Sequence, residues 1–136
     1  VYHLHKLSQQ RQFVKPVDGQ VIIKFGEQTP YGKNRGINIA AHRSSAIRSI
    51  AAGKVVFVGN DARFGNLVIV KLDNSDFYVA YAHLQKFLVL KNVLVKQGQI
   101  IGLVGDSGRV KKSQLYLAIR QGKVAVNPLK YLNYYK

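Results

Sequence analysis

The fold class follows from residues 35–59, RGINIAAHRSSAIRSIAAGKVVFVG. Short runs rich in isoleucine and valine alternate here with small and polar residues. β-Branched residues favour strands, and no helical period is sustained, here or elsewhere in the chain, for more than about two turns. The stretch therefore predicts short strands that are joined by tight turns.

The same alternation continues along the rest of the chain. Further β-branched runs with turn residues at their ends occur at 17–26, 64–74, 77–84, 98–105 and 114–128. Residues 1–12 are polar and have no period, so we interpret them as a linker or the tail of an upstream segment, followed by one domain at 13–136. Residues 84–94 are compatible with either a short helical turn or a loop. Together these features predict an all-β domain, an antiparallel sandwich or a barrel-like fold.

The charge of the chain is its most unusual property. There are 21 lysines and arginines against 6 aspartates and glutamates, which gives a net charge of +15. This excess is larger than solubility requires and favours an anionic partner: nucleic acid, anionic lipid, an anionic cell-wall polymer or an acidic protein. Basic and aromatic residues interleave little outside Tyr131, Tyr134 and Tyr135, so we predict no nucleic-acid partner.

Several site classes are excluded by composition. The chain has no cysteine, so it contains no disulfide, no thiolate metal site and no cysteine nucleophile. It has no apolar run of about 18 residues, and no transmembrane segment is predicted in it. The first residue is Val1 rather than methionine, so we expect a fragment or a processed product from which targeting information has been removed.

Polar side chains fall on three strand faces. The residues that share a face are Asn34 and Asn38 beside Gly36, then Tyr81 and His83, then Gln114 and Tyr116. Two residues four apart on one face, beside a glycine that leaves room above the backbone, have the spacing of a metal-ligand pair. The residue types do not suit that role, because zinc takes imidazole, carboxylate or thiolate and a carboxamide is a weak, neutral donor.

The order of these segments resembles the lysostaphin/LytM-type zinc metallopeptidases of family M23, which cut peptide crosslinks in bacterial peptidoglycan. The resemblance extends from Phe13 to Leu132. It is carried, in this order, by FVKPVDGQVIIKFG, RGINIAAHRSSAIRSIAAGKVVFVG, FGNLVIV, YAHL, VKQGQIIGLVGDSGR and NPLKYL. It implies the LytM fold, a duplicated hybrid motif with long loops around a groove.

The departures from the family fall on its metal-binding motifs. The motif His-x-Gly-x-Asp stands here as NRGIN at residues 34–38, and His-x-His stands as QLY at residues 114–116. By resemblance, the zinc-binding positions are Asn34, Asn38 and Tyr116, and the two positions that assist catalysis are His83 and Gln114. The resemblance therefore implies a groove whose reactive residues, except His83, have been replaced.

The replacements remove the chemistry. A tyrosine phenol has a pKa near 10, so its ionisation to bind a metal is costly near neutral pH. Gln114 cannot exchange a proton, and without zinc there is no activated water. We predict no metal ligand, no cofactor and no catalytic residue, so that the domain is not an enzyme.

Structural roles are the simpler interpretation of each position. Asn34 and Asn38 are expected to be turn or edge-strand amides that bond to the backbone. His83 is expected to be buried and hydrogen-bonded within the groove. Tyr116 is expected to pack where the zinc would lie, and His42 to be solvated in a turn.

The resemblance also implies a function. Domains of the family that lack the zinc ligands resemble the EnvC/NlpD-type activators, which bind peptidoglycan amidases in the periplasm or cell envelope and relieve their autoinhibition during division. The vacated groove would be the docking surface, lined by Asn34, Arg35, Asn38, His83, Gln114 and Tyr116. The alternatives are a peptidoglycan-binding module without an enzyme partner and an active zinc endopeptidase.

Overall fold

Twelve strands and one short 3₁₀-helix make up the regular structure of residues 13–134, the part of the chain that the computed structural model describes. The elements are β1 (Gln20–Ile23), β2 (Gln28–Thr29), β3 (Gly32–Lys33), β4 (Ile37–Ala40), β5 (Ala46–Arg48), β6 (Gly53–Asp61), β7 (Gly65–Leu72), β8 (Phe77–Phe87), β9 (Leu94–Val95), β10 (Ile100–Val104), β11 (Gln114–Gln121), β12 (Val124–Val126) and η1 (Pro128–Lys130). The all-β prediction is confirmed. The ambiguous residues 84–94 continue β8 to Phe87 and then form a loop that leads into β9. The predicted linker at 1–12 lies outside the described residues.

Ten of these strands belong to one sheet, which contains the order β1-β4-β11-β8-β7-β6-β9. Strand β10 pairs with β5 and β8, β12 pairs with β11, and β2 and β3 form a separate hairpin. Every pairing is antiparallel, as predicted. Strand β4 therefore lies inside the sheet, between β1 and β11, and not at its edge. None of the helical structure in residues 13–134 is long and apolar enough to cross a membrane.

The core is built from the inward-facing residues of the central strands. Leu115, Leu117 and Ile119 alternate along β11 and are fully buried. Tyr81 of β8 is also fully buried, and its hydroxyl oxygen accepts a hydrogen bond from the backbone N–H of Ile50 at 3.0 Å. Burial raises the pKa of the Tyr81 phenol to about 12, because the charged phenolate would lose its hydration.

A β-bulge bends β8 at the point where it meets the candidate site. Val68 of β7 pairs with Tyr81, but Asn66 pairs with Leu84, so β8 carries one extra residue between these pairs. His83 lies in this bulge with a φ of +66°, a left-handed conformation that is uncommon for residues other than glycine. The bulge turns His83 away from the core. The prediction that Tyr81 and His83 share a face was therefore wrong: Tyr81 faces the core and His83 faces a cleft.

Candidate functional site

A cleft of about 310 Å³ opens beside β4, β11 and the bulge of β8. Five of the six predicted groove residues line it: Asn34, Asn38, His83, Gln114 and Tyr116. Arg35 does not line it. It precedes β4 and is exposed. Side chains alternate along an extended chain, so Arg35 points to the side opposite to Asn34 and Asn38. The cations that do line the cleft are Arg63 and Arg109.

The floor of the cleft is a chain of three side-chain amides. Asn34 donates from Nδ2 to Oδ1 of Asn38 at 3.0 Å, and Asn38 donates from Nδ2 to Oε1 of Gln114 at 2.8 Å. The two ends are tied to the backbone, because Asn34 also donates to the carbonyl of Gly36 at 2.9 Å and Gln114 donates to the carbonyl of Lys112 at 3.1 Å. We call Asn34, Asn38 and Gln114 the amide chain. All three side chains are buried, and each carries at least one hydrogen bond, as buried polar groups require.

The amide chain is a poor set of donors for zinc. The side-chain oxygens of Asn38 and Gln114 already accept hydrogen bonds, and their nitrogens are donors that have no lone pair for a cation. No carboxylate lines the cleft to offset a divalent charge. Within residues 13–134, no three His, Cys, Asp or Glu side chains form a group that could hold a metal. The residues that align with the metal motifs by resemblance therefore do not fit zinc, and no reaction step through a metal follows from them.

An aromatic wall stands above the amide chain. Tyr116 pairs with Asn38 across β4 and β11, and its ring stacks on Phe64 with centroids 4.9 Å apart and planes at 24°. Its other ring neighbour is His83, at 6.3 Å in an edge-on arrangement. Burial raises the pKa of the Tyr116 phenol above its ordinary value, and the nearby Arg63 only partly opposes this effect. Tyr116 is thus a neutral packing residue at neutral pH.

His83 is held as a neutral imidazole. Its ring is almost fully buried, and Nδ1 lies 2.8 Å from the backbone carbonyl oxygen of Ser107. A carbonyl only accepts, so Nδ1 carries the proton and Nε2 is left as the acceptor. Burial lowers the pKa of His83; the Ser107 carbonyl opposes this shift, and the positive charge of Arg63 adds to it. The expectation of a buried, hydrogen-bonded histidine is confirmed.

The basic rim of the cleft was not found in the sequence. The Arg63 guanidinium lies 4.4 Å from the ring centroid of Tyr31 and 4.7 Å from that of Phe64, so it is stacked between two aromatic residues. The Asp61 carboxylate fixes this turn by accepting hydrogen bonds from the backbone N–H groups of Arg63 and Phe64 at 2.8 and 2.9 Å. These bonds hold the pKa of Asp61 below its ordinary value. In the sequence, the stretch Asp61-Ala62-Arg63 is a recognisable turn signal, and it is the feature that could have drawn attention to Arg63.

This chain is similar to several known proteins. The family model described as Peptidase family M23 matches residues 32–128. The murein hydrolase activator NlpD of Salmonella typhimurium is 43% identical over 118 residues, which cover 86% of this chain and 30% of that protein. The cell division protein DipM of Caulobacter vibrioides is 39% identical over 111 residues, which cover 80% of this chain and 18% of that protein. This chain therefore spans less than a third of the length of either relative.

The fold is also similar to that of a solved structure. A zinc-containing peptidase from Vibrio cholerae superimposes with a TM-score of 0.78 at 28% identity, over 85% of this chain and 39% of that one. The family match covers most of the chain and includes the strands that carry the amide chain, Tyr116 and His83. The chain therefore belongs to peptidase family M23 and carries that family's LytM-type fold.

Proposed function

We propose that this chain is a catalytically inactive M23 domain of the bacterial cell envelope, which binds a peptidoglycan amidase and activates it when the cell wall is split during division. The observation that carries the proposal is the amide chain. At the positions that resemble the metal motifs it places side-chain amides that hydrogen-bond to one another. The cleft is therefore an ordered polar surface without hydrolytic chemistry. The relatives support the direction of the proposal, since one is named a murein hydrolase activator and another a cell division protein. Murein is the envelope polymer, and an activator of its hydrolases acts where that polymer is.

The cleft lacks the groups that hydrolysis by a zinc peptidase requires. Hydrolysis in a zinc peptidase needs a metal-activated water and a group that moves protons. Asn34, Asn38 and Tyr116 do not supply zinc ligands, and Gln114 cannot transfer a proton. His83 remains, but its pKa is lowered by burial and its Nδ1–H is committed to Ser107. One neutral histidine does not assemble a hydrolytic site.

The cleft has a surface that is suited to recognition of a partner protein. Energetic hot spots of interfaces concentrate in a few residues and are enriched in Tyr and Arg. The cleft combines Tyr116, Phe64 and a stacked arginine, Arg63, above a floor of hydrogen-bonding amides. No acidic side chain is among its lining residues, which favours a partner that presents carboxylates.

The experiment is stimulation of a purified envelope amidase acting on isolated cell-wall sacculi. Changing Tyr116→Ala or Arg63→Ala should weaken the affinity for the amidase by about ten- to hundred-fold, the cost of roughly 1–3 kcal/mol that interface anchors typically carry. Arg35→Ala should have a smaller effect, because Arg35 is exposed outside the cleft. Lys130→Ala removes an exposed charge from η1 and serves as the control.

Two outcomes would count against the proposal. If the cleft variants fold and stimulate the amidase like the parent, the cleft is not the docking site. A parent domain that holds about one zinc per chain after dialysis, measured by elemental analysis, would contradict the loss of the metal site.

A peptidoglycan-binding module without an enzyme partner is the second candidate, and the basic rim favours it. Stem peptides of peptidoglycan carry free carboxylates, which suit Arg63 and Arg109. Sedimentation of the domain with sacculi in the absence of amidase separates the two: strong, salt-sensitive binding without any amidase stimulation favours the module.

A further inference from the structure

A second depression continues the cleft across the outer face of the sheet. It has a volume of about 400 Å³ and shares Phe64 and Tyr116 with the cleft. We call it the trough, and its other main lining residues are Leu67, Ile69, Tyr78, Ala80, Ala118 and Arg120. They lie on three neighbouring strands, β7, β8 and β11. None of these residues belongs to the family's metal motifs.

The cross-strand register places the outward-facing residues of these strands in three rows. The first row joins Asn38, Tyr116 and Ala82. The second joins Ile69, Ala80 and Ala118, and is entirely apolar. The third joins Lys71, Tyr78 and Arg120. Successive rows are two residues apart along each strand, which is roughly 7 Å.

The apolar second row is unusual for an outward face. Strands with one solvated face normally alternate apolar residues on the inside with polar residues on the outside. In β7 the inward Val68 and Val70 are fully buried, yet two of the outward positions, Leu67 and Ile69, are also apolar and are half-buried. The two alanines of the second row keep the trough open, since a methyl group fills little of the space between the larger neighbours. An apolar strip of this kind between polar ends marks a surface for association.

The cleft and the trough together form a surface that carries arginines at its two ends and none in its middle. Arg63 and Arg109 line the cleft at one end, and Arg120 lines the trough at the other. Neither depression has an aspartate or glutamate among its lining residues. The surface therefore presents cation, apolar strip and cation in succession, and its complement is a carboxylate, an apolar side chain and a carboxylate.

We propose that the cleft and the trough together hold one segment of the partner amidase in which an apolar side chain lies between two carboxylates. The apolar side chain packs on Ile69, Ala80 and Ala118. One carboxylate meets Arg63 and Arg109, and the other meets Arg120. This proposal rests on the proposed function and specifies the chemistry of the partner and a contact surface outside the metal-motif positions.

The test uses two trough variants with matched controls. Ala118→Glu places a charge in the apolar row, and Arg120→Glu reverses the distal cation. Val124→Glu introduces the same acid at an exposed apolar residue of β12, and Lys123→Glu reverses an exposed cation near Arg120. Binding to a purified envelope amidase is measured by calorimetric titration at low and high salt, and binding to sacculi by sedimentation, with unfolding followed for each variant.

Both trough variants should weaken amidase binding by about tenfold or more, and both controls should stay within about twofold of the parent. Arg120→Glu should also reduce the dependence of affinity on salt. If Ala118→Glu fails to fold, Arg120→Glu decides alone, since Arg120 is exposed.

Three results would overturn the proposal. If both trough variants bind the amidase like the parent while Tyr116→Ala does not, the segment stops at the cleft and the proposed function stands without the trough. If the trough variants lose sacculus binding but keep amidase binding, the trough holds wall polymer instead. If the parent binds no amidase, the proposed function fails and this proposal fails with it.

Discussion

Strand β11 carries two faces that differ in what they contribute. The inner face presents Leu115, Leu117 and Ile119, all fully buried in the core. The outer face presents Gln114 and Tyr116 in the cleft and Ala118 in the trough. Consecutive residues of one strand therefore belong to two environments, of which only the inner is an ordinary hydrophobic core.

The two faces contribute to stability in different ways. The inner face stabilises the sheet by burying apolar surface, which does not depend on a metal. The outer face contains polar groups that must be satisfied once buried, and the amide chain satisfies them without an ion. The fold and the site of this domain are consequently separable, and substitutions on the two faces should have different consequences.

The largest effect on stability should come from the inner face. Leu117→Ala should lower the free energy of unfolding by about 2–5 kcal/mol, because it removes a fully buried side chain and leaves a cavity. Urea titration measures the change. A loss below about 1 kcal/mol would mean that the two faces differ less than their burial indicates.

A smaller effect is expected from the amide chain. Asn38→Ala removes its central member and leaves Asn34 Nδ2 and Gln114 Oε1 without that partner, which should cost about 1–3 kcal/mol. Asn38→Asp keeps the size and the acceptor for Asn34 but places an oxygen against the Gln114 oxygen, so it should also destabilise the domain. If Asn38→Asp proves as stable as the parent at neutral pH, the direction of the amide chain is different from the one described.

The pH dependence of stability should report His83. Its pKa is lowered in the folded state, so as pH falls below the unfolded value of about 6.5 the unfolded chain takes up this proton first. The stabilising contribution is complete above that value and declines as pH falls toward the lowered folded pKa, by at most about 1.4 kcal/mol per pH unit. Parent and His83→Gln are compared by urea titration between pH 7 and pH 5, taken as roughly the range of histidine titration. Parallel curves for the two proteins would contradict a neutral, buried His83.

The smallest effect is expected at the outer, apolar row. Ala118→Glu should change the free energy of unfolding by about 1 kcal/mol or less, because Ala118 is half-buried on the outward face. Ile119→Glu, one residue along on the inner face, is the matched contrast and should prevent stable folding. Equal losses at the two positions would show that the trough is part of the core.

Sequence reasoning found the features that follow from alternation within a strand. The all-β class, the shared face of Asn34 and Asn38, and the shared face of Gln114 and Tyr116 were all accessible, because period-two patterning is local. The bulge at His83 could not be predicted from the sequence, because a histidine does not by itself indicate a left-handed backbone conformation.

The basic rim was missed for a different reason. Arg63 and Arg109 reach the cleft from turns that tertiary packing brings together, and such proximity has no local pattern in the sequence. Arg35 was expected in the groove because it lies within the resembling motif, but a neighbour in sequence lies on the opposite side of an extended chain.

The hydrogen bond between Asn38 and Gln114 joins residues 76 positions apart and has a consequence for the order of assembly. Contacts between distant segments form late, because the intervening chain must first be closed into a loop. Strand β4 is synthesised early, but its partner β11 is among the last strands to emerge. The cleft is thus assembled only after β11 has been synthesised. A shortened chain that ends before β11 would lack Gln114 and Tyr116, and with them part of the floor and wall of the cleft.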